Sequence, residues 1–527
     1  MRHRGATIDV DPEIEIPKAA YGPRIYVLAV IASMGALMFG YDLGFIGTAI
    51  ELSSFQRDFG LEHASKSEKA AFSANVVSLL QAGCIVGSLA AGPFASHYGR
   101  RSSLFLTAAF FLFGSALQTG AGGVRAMMFA GRAIGGVGVG AASMVVPLYI
   151  AEASPPRIRG RLVGTYEVFV SMGTMLGFWI NYGLERNLPS TSAQWIISFA
   201  VQLIPGCLLM AGLFLIPESP RWLAEKKGRD ACVRSLRWLR GVPGDHPYLL
   251  AEVHCIFQQL DEEAMLTEGD GPRALFYEML KPANLKRLYI GCVMFVLMQM
   301  AGSNAINYYS PSIFKSIGLV GSDTSFFATG IYGLVRFVAI IAAMNFFIDR
   351  FGRRKNLMCG SSIMACAMWY IGAYVKIEAP GAPGTSSHIS PAGYLGIAMI
   401  YVYAIGWCFS WAGIPWVYAS EIFPLRIRSI CVSICVAVHW ILNFVIARSV
   451  PYMINNIGFG TYFVFASFIT IAIPWVFFCV PETKGRSMED MDIIFGLPNG
   501  VTASELQATE EKGSSAHLED QKDTHTI

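Results

Sequence analysis

Charge is the first thing this sequence is short of. Asp, Glu, Lys and Arg make up 15% of its 527 residues, while 54% are hydrophobic before its 53 glycines are added; soluble domains carry ~25% charged residues. That leaves too little polar surface to cover a globule of this mass, which excludes a water-soluble enzyme. The net charge of +3 gathers on no broad basic face, which excludes nucleic acid as a partner. Paired cysteines are missing as well: the eleven present form no Cys-x-x-Cys and mostly sit in apolar runs, so neither a disulfide framework nor a zinc site is expected. Ahead of Gly22 the chain is polar, with Asp9, Asp11, Glu13 and Glu15 and no short apolar core before a cleavage site, so no removed signal peptide is expected. Gly131, Gly135, Gly136, Gly138 and Gly140 follow no strand and lie inside an apolar run, where small residues allow close helix contact rather than nucleotide binding. No nucleophile, base and orienting group cluster with a cofactor motif, so no enzymatic role and no cofactor are expected.

What the chain does have is long apolar runs. A bilayer core needs ~20 apolar residues per helix. Twelve such runs bounded by charge occur, at about 25–50, 72–95, 102–121, 124–150, 162–183, 195–216, 286–310, 325–348, 357–376, 391–417, 429–450 and 460–480. The expectation is an all-α membrane protein of twelve transmembrane helices in two six-helix bundles. Its divisions are a tail 1–24, a bundle 25–216, a linker 217–285, a second bundle 286–480 and a tail 481–527. Arginines crowd one set of loops, at Arg100 and Arg101, Arg157 to Arg161, Arg350 to Arg354, and Arg426 and Arg428. By the positive-inside rule that set, both termini and the linker are cytosolic. Apolar positions recurring at three and four around Trp222, Leu236 and Leu239 make the linker a set of interfacial helices.

The two halves repeat each other. Gly92 to Arg101 matches Asn345 to Arg354, Glu152 with Arg159 matches Glu421 with Arg428, and Pro217-Glu218-Ser219 matches Pro481-Glu482-Thr483. The offsets of 253, 269 and 264 residues are each about half the chain. A parallel repeat of six helices is the sequence form of a rocker-switch carrier, with its substrate between the halves near the midplane.

These residues carry a resemblance. Phe39-Gly40-Tyr41-Asp42, Gly131-Arg132, Pro147 to Glu152, Pro217 to Leu223, Asn304 to Tyr309 and Pro481 to Arg486 stand in order at successive helix ends. They resemble the sugar porter branch of the major facilitator superfamily over about Leu37 to Met491. Phe45 to Thr48 and Trp179 to Gly183 resemble the fungal quinate permease group within it. The resemblance implies a proton-coupled symporter importing a polyol, sugar or hydroxy acid, a multi-pass monomer in plasma-membrane lipid driven by the proton gradient. A passive facilitator and a nutrient sensor that carries nothing stay open beside it. The family pattern maps substrate binding onto Glu167, Gln299, Asn304, Asn307, Trp416 and Asn443, with Trp440 nearby. It departs from hexose carriers at Glu167, Met298 and His439. Ser96 stands where an Asp is usual in the first Gly-Arg-Arg loop. The resemblance also places a cytosolic gate at Arg100, Arg101, Glu152, Arg159, Glu218, Asp349, Arg353, Arg354, Glu421, Arg428 and Glu482.

Charges inside the bilayer cost at least ~2.5 kcal/mol each and need a reason. Asp42 lies ~26 Å along the first span and Arg132 ~12 Å into the fourth from its opposite end, by helical rise. The two can meet at one depth, as a proton-coupling pair or as a permanent structural ion pair. Arg336, near the middle of the eighth span, is either a counter-charge for a substrate carboxylate or the partner of Glu167. Arg448 lies near enough to a membrane surface to snorkel. Gln299, Asn304 and Asn307 fall at helical spacing on one polar stripe. Gly302, Gly406, Gly413 and Pro415 are expected to interrupt the seventh and tenth spans.

Overall fold

The computed structural model describes residues 17–155, 158–267, 272–319, 322–347, 351–378, 390–484 and 495. The described residues are helices joined by short turns, with no strand among them. In the first half run α1 (Pro23–Glu51), α2 (Ser53–Asp58), α3 (Lys66–Tyr98), α4 (Arg100–Thr119), α5 (Arg125–Ala153), α6 (Arg159–Asn187), α7 (Ser192–Val201) and α8 (Leu203–Gly212). Four further helices follow: α9 (Pro220–Lys227), α10 (Arg229–Arg240), α11 (Pro247–Thr267) and α12 (Pro272–Met279). The second half holds α13 (Pro282–Met300), α14 (Ser303–Ser316), α15 (Ser322–Ala342), α16 (Arg353–Glu378), α17 (Pro391–Phe409), α18 (Ile414–Ile422), α19 (Leu425–Ile457) and α20 (Gly460–Cys479).

Among the described residues, eleven helical stretches are long and apolar enough to cross a membrane. In three of these, two helices join end to end: α7 with α8, α13 with α14, and α17 with α18. The twelfth crossing is α6, whose 29 residues include Glu167, Thr174 and Asn181 and are correspondingly less apolar. It packs along α1 in its own half and α15 in the other. Each half has its own apolar core. One is built around Phe45, Phe55, Phe59, Trp195 and Phe199, the other around Phe314, Trp411, Tyr403 and Tyr418.

The sequence repeat is a repeat in space. Arg100 Nη2 meets Glu152 Oε1 at 2.7 Å, and Glu218 accepts the backbone N–H of Arg100 at 2.9 Å. In the second half Arg353 Nη2 meets Glu421 at 2.9 Å, and Glu482 accepts the Arg353 N–H at 2.8 Å. Ser219 and Thr483 close the two clusters by donating to Glu152 (2.5 Å) and Glu421 (2.6 Å). Glycine is required ahead of both arginine pairs. Gly99 and Gly352 have φ of +98° and +88°, and a Cβ at either would strike the Glu218 or Glu482 carboxylate.

The linker helices are pinned to the first half by a buried pair. Arg240 Nε and Nη2 meet the two Glu252 oxygens at 3.0 and 2.5 Å, and Arg240 Nη1 donates to Ala153 O at the end of α5 at 2.9 Å. Both side chains are nearly inaccessible, at 1% and 3%. Removing one partner strands the other charge, at a cost of about 3 kcal/mol or more. Glu252→Ala is therefore expected to lower the thermal unfolding midpoint of the detergent-solubilised protein and open 217–285 to protease. A joint Arg240→Met, Glu252→Met exchange should recover most of the loss.

Candidate functional site

Asp42 and Arg132 meet. Arg132 Nη1 and Nη2 donate to the two Asp42 oxygens, the second at 3.1 Å, and Nε donates to Val76 O at 2.8 Å. Both side chains are fully inaccessible, and the pair ties α1, α5 and α3 at a single point. A guanidinium fork on both carboxylate oxygens is the strong, geometrically specific form of a charge-assisted contact.

A second polar group occupies the interface side of the other half. Gln299 Nε2 lies 3.1 Å from His439 Nδ1, and Asn304 Nδ2 donates to Gln299 Oε1 at 2.9 Å. Asn307 Nδ2 donates to Asn304 Oδ1 at 3.4 Å, and Asn307 Oδ1 accepts from Arg336 Nη1 at 2.6 Å and from Tyr332 OH at 3.1 Å. One chain of hydrogen bonds thus joins α19, α13, α14 and α15. The amides do not form a continuous helical stripe: α13 ends at Met300, and Gly302 caps the next helix in the left-handed region at φ +88°. The break itself brings Gln299 and Asn304 together. The tenth span breaks likewise over 410–413, with Pro415 in the first turn of α18, whereas Gly406 stays inside α17.

Aromatic groups face this chain. Trp416 stands edge-on to Phe295 and His439, with centroids at 5.0 and 5.1 Å, and Trp440 edge-on to His439 and Phe39 at 5.3 and 5.5 Å. Trp416 Nε1, Trp440 Nε1 and Asn443 Nδ2 are buried donors with no hydrogen-bond partner. Unfilled donors converging beside amides and aromatic planes suit a hydroxyl-rich ring, which offers acceptors at its edge and an apolar face. Glu167 is half-buried and lies within electrostatic reach of Arg336, yet the two form no ion pair. Arg336 is committed to Asn307 instead.

Two residues that sequence reasoning missed link α3 to Asn443, beside the tryptophans. Tyr308 OH accepts from Gln81 Nε2 at 2.6 Å and donates to Asn443 Oδ1 at 3.3 Å. Gln81 is fully buried in α3, five residues beyond Val76, and Tyr308 lies within electrostatic range of both Asp42 and Arg132. A lone amide mid-span was the available signal at Gln81, and Tyr332 stands one helical turn from Arg336.

Among the described residues, the contacts of the arginine-rich gate clusters lie within their own half. Arg101 and Arg354 place their N–H groups on Glu218 and Glu482 at 3.0 Å. Arg428 donates to Phe423 O at 3.3 Å, and Arg159 carries an unpartnered Nε near Glu152, Glu252 and Arg221. Ser96 offers its carbonyl to Trp222 Nε1 at 2.9 Å. Asp349 lies outside the described residues. Among the described residues, side-chain pairs joining the halves are found at mid-depth and at the opposite end: Gln81 with Tyr308, Glu51 with Lys315 (2.6 Å) and Ser312 (3.0 Å), and Arg448 with Asn75. Arg448 does not simply snorkel, because it reaches across to α3. The two halves are closed against each other at that end.

The family model described as "Sugar (and other) transporter" matches residues 28–495. The chain belongs to that family. It is a multi-pass membrane transporter of the major facilitator fold for a sugar-type small molecule, and not an enzyme. A protein named "Probable quinate permease" from Aspergillus niger is 42% identical over 486 residues, 91% of this chain and 89% of that protein. One named "Quinate permease" from Emericella nidulans is 41% identical over 486 residues, 91% and 90%. Among solved structures, the proton:xylose symporter XylE bound to 6-bromo-6-deoxy-D-glucose aligns at TM-score 0.73 and 27% identity, covering 89% of this chain and 99% of that one. An inward-open form of the E. coli protein aligns at TM-score 0.72, covering 89% and 99%.

Proposed function

We propose that this transporter is a proton symporter that imports a small polyhydroxylated acid of the quinate type. It works from the plasma membrane, as a monomer with both termini and the arginine-rich end cytosolic. The observation that carries the reading is the sealed Asp42 and Arg132 pair, within electrostatic range of Tyr308, whose hydroxyl donates to Asn443 beside the tryptophans. The relatives named quinate permease and the neighbour named a proton:xylose symporter support it from outside the chain.

The steps follow from what each group can hold. With the outer end open, water reaches Asp42 and a proton transfers to its carboxyl, loosening its hold on Arg132. Substrate hydroxyls engage Gln299, Asn304, Asn443 and the two indoles, while its carboxylate takes the Arg336 guanidinium. Closure of α1 over α14, through contacts such as Glu51 to Lys315, then seals the outer end. Proton release toward the cytosol restores the two-point Asp42 to Arg132 contact and frees the substrate. The intra-half clusters on Glu152 and Glu421 stand where the halves would meet when the cytosolic end closes, so their rearrangement biases the equilibrium between states.

An uptake panel tests the reading. Labelled quinate, galacturonate, glucose and xylose are offered to cells expressing the chain at two external pH values. Quinate is expected to accumulate, by up to about tenfold per pH unit for one coupled proton, each tenfold being ~1.4 kcal/mol. Quinate that only equilibrates would overturn coupling, and uptake confined to neutral sugars would overturn the acid substrate.

A further inference from the structure

A cavity of about 530 Å³ opens at the arginine-rich end, between the foot of α1 and the exit of α10, lined by Arg24, Arg234, Arg237 and Trp238 with the turn 241–243 as its floor. Arg234 and Arg237 stand one turn apart on the exposed face of α10. Arg24, exposed in the first turn of α1, donates to Trp238 O at 3.1 Å and lies 5.8 Å over the indole. No acidic side chain lines the cavity among the described residues. The contrast within α10 is sharp: Arg240 turns inward and is neutralised by Glu252, whereas Arg234 and Arg237 are left for something outside the fold.

The surface immediately beyond the cavity says what that is. Tyr26, Val27 and Val30 of α1 are 45–47% exposed, and they continue from Arg24 into the membrane-spanning part of the helix. Guanidiniums at the foot of a lipid-facing apolar strip, with a tryptophan between them, match a phospholipid in both its parts. The headgroup phosphates take the arginines and the acyl chains lie along Val27 and Val30. A free phosphate would leave the apolar strip unused. We propose that this cavity is a binding site for the phosphorylated headgroup of an anionic phospholipid in the leaflet at the arginine-rich end. The site bridges α1, which carries Asp42, to the linker helices. It depends on membrane insertion alone and not on the choice of transported substrate.

The test is native mass spectrometry of the full-length protein with added phosphatidylinositol 4-phosphate, phosphatidylcholine or soluble inositol bisphosphate. The intact chain should retain the phosphoinositide in preference to phosphatidylcholine. Arg234→Gln and Arg237→Gln should each weaken retention about fivefold, the equivalent of ~1 kcal/mol per arginine at a membrane surface. Arg24→Gln reads the same site from another helix, so a folding defect in α10 cannot imitate the full set. Equal retention of phosphatidylcholine, or undiminished phosphoinositide retention in all three variants, would overturn the site. Competition by soluble inositol bisphosphate at equal concentration would overturn the lipid as its source.

Discussion

Asp42→Asn is expected to abolish accumulation of substrate against its gradient while leaving exchange of labelled for unlabelled substrate within about threefold of the parent. The asparagine side chain is nearly the same size and can still accept from Arg132, so the junction of α1, α5 and α3 keeps its shape. What it loses is the site where a proton is taken up and given back. Counter-transport needs only that the loaded carrier turn over, and that requires no proton. The expected loss is thus the whole of the accumulation ratio, and it should be insensitive to external pH. The competing account, a permanent structural ion pair, gives the opposite outcome. A protein held together by that pair would lose expression and exchange alike, because a stranded buried guanidinium costs several kcal/mol. Arg132 also holds Val76 O, which makes Arg132→Ala the harsher and less informative change.

Arg336→Gln should separate acids from neutral sugars. Arg336 is 6% exposed, donates to Asn307 and also contacts the Tyr332 hydroxyl, which engages only part of its five N–H donors and leaves the rest to a ligand. A charge-assisted contact to a carboxylate is worth ~1.5–3 kcal/mol. Its loss should therefore cut quinate uptake by about ten- to a hundredfold at low substrate concentration, with most of the effect in KM. Glutamine can still donate to Asn307, so the hydrogen-bonded chain through Asn304 to Gln299 survives. Arg336→Lys keeps the charge but not the planar fork and should fall between. Equal loss of acid and neutral substrates would mean that Arg336 serves the architecture of α14 and α15 instead.

Much of this was legible in the chain itself. Twelve apolar runs, the duplicated Gly-Arg-Arg and Glu positions, and the matched depths of Asp42 and Arg132 all follow from helical rise and the cost of charge in hydrocarbon. What was hidden depends on non-helical backbone or on contact between distant segments. Helical spacing suggests one polar face for Gln299, Asn304 and Asn307, but the left-handed Gly302 splits the helix, and the amides meet across the split. Gly406 shows the reverse: a glycine in an apolar span marks a break only when the neighbouring backbone leaves the helix, which happens at 410–413. Depth along a span does not reveal a neighbour on another helix, so Arg448 reads as free to snorkel and is found on Asn75. The charges of the two gate clusters were visible, whereas their closure within each half, Arg100 on Glu152 and Arg353 on Glu421, required the packed helices.

The claim on which the rest depends is that substrate and proton move together through a cycle that loads and unloads Asp42. It is tested most directly by purified protein in liposomes that enclose a pH-sensitive dye, with an inward quinate gradient and no initial pH difference. The account predicts acidification of the lumen that tracks quinate entry, about one proton per substrate, and is absent from Asp42→Asn liposomes even though exchange proceeds. Quinate entry with no proton movement, or acidification undiminished in the Asp42→Asn protein, would contradict it.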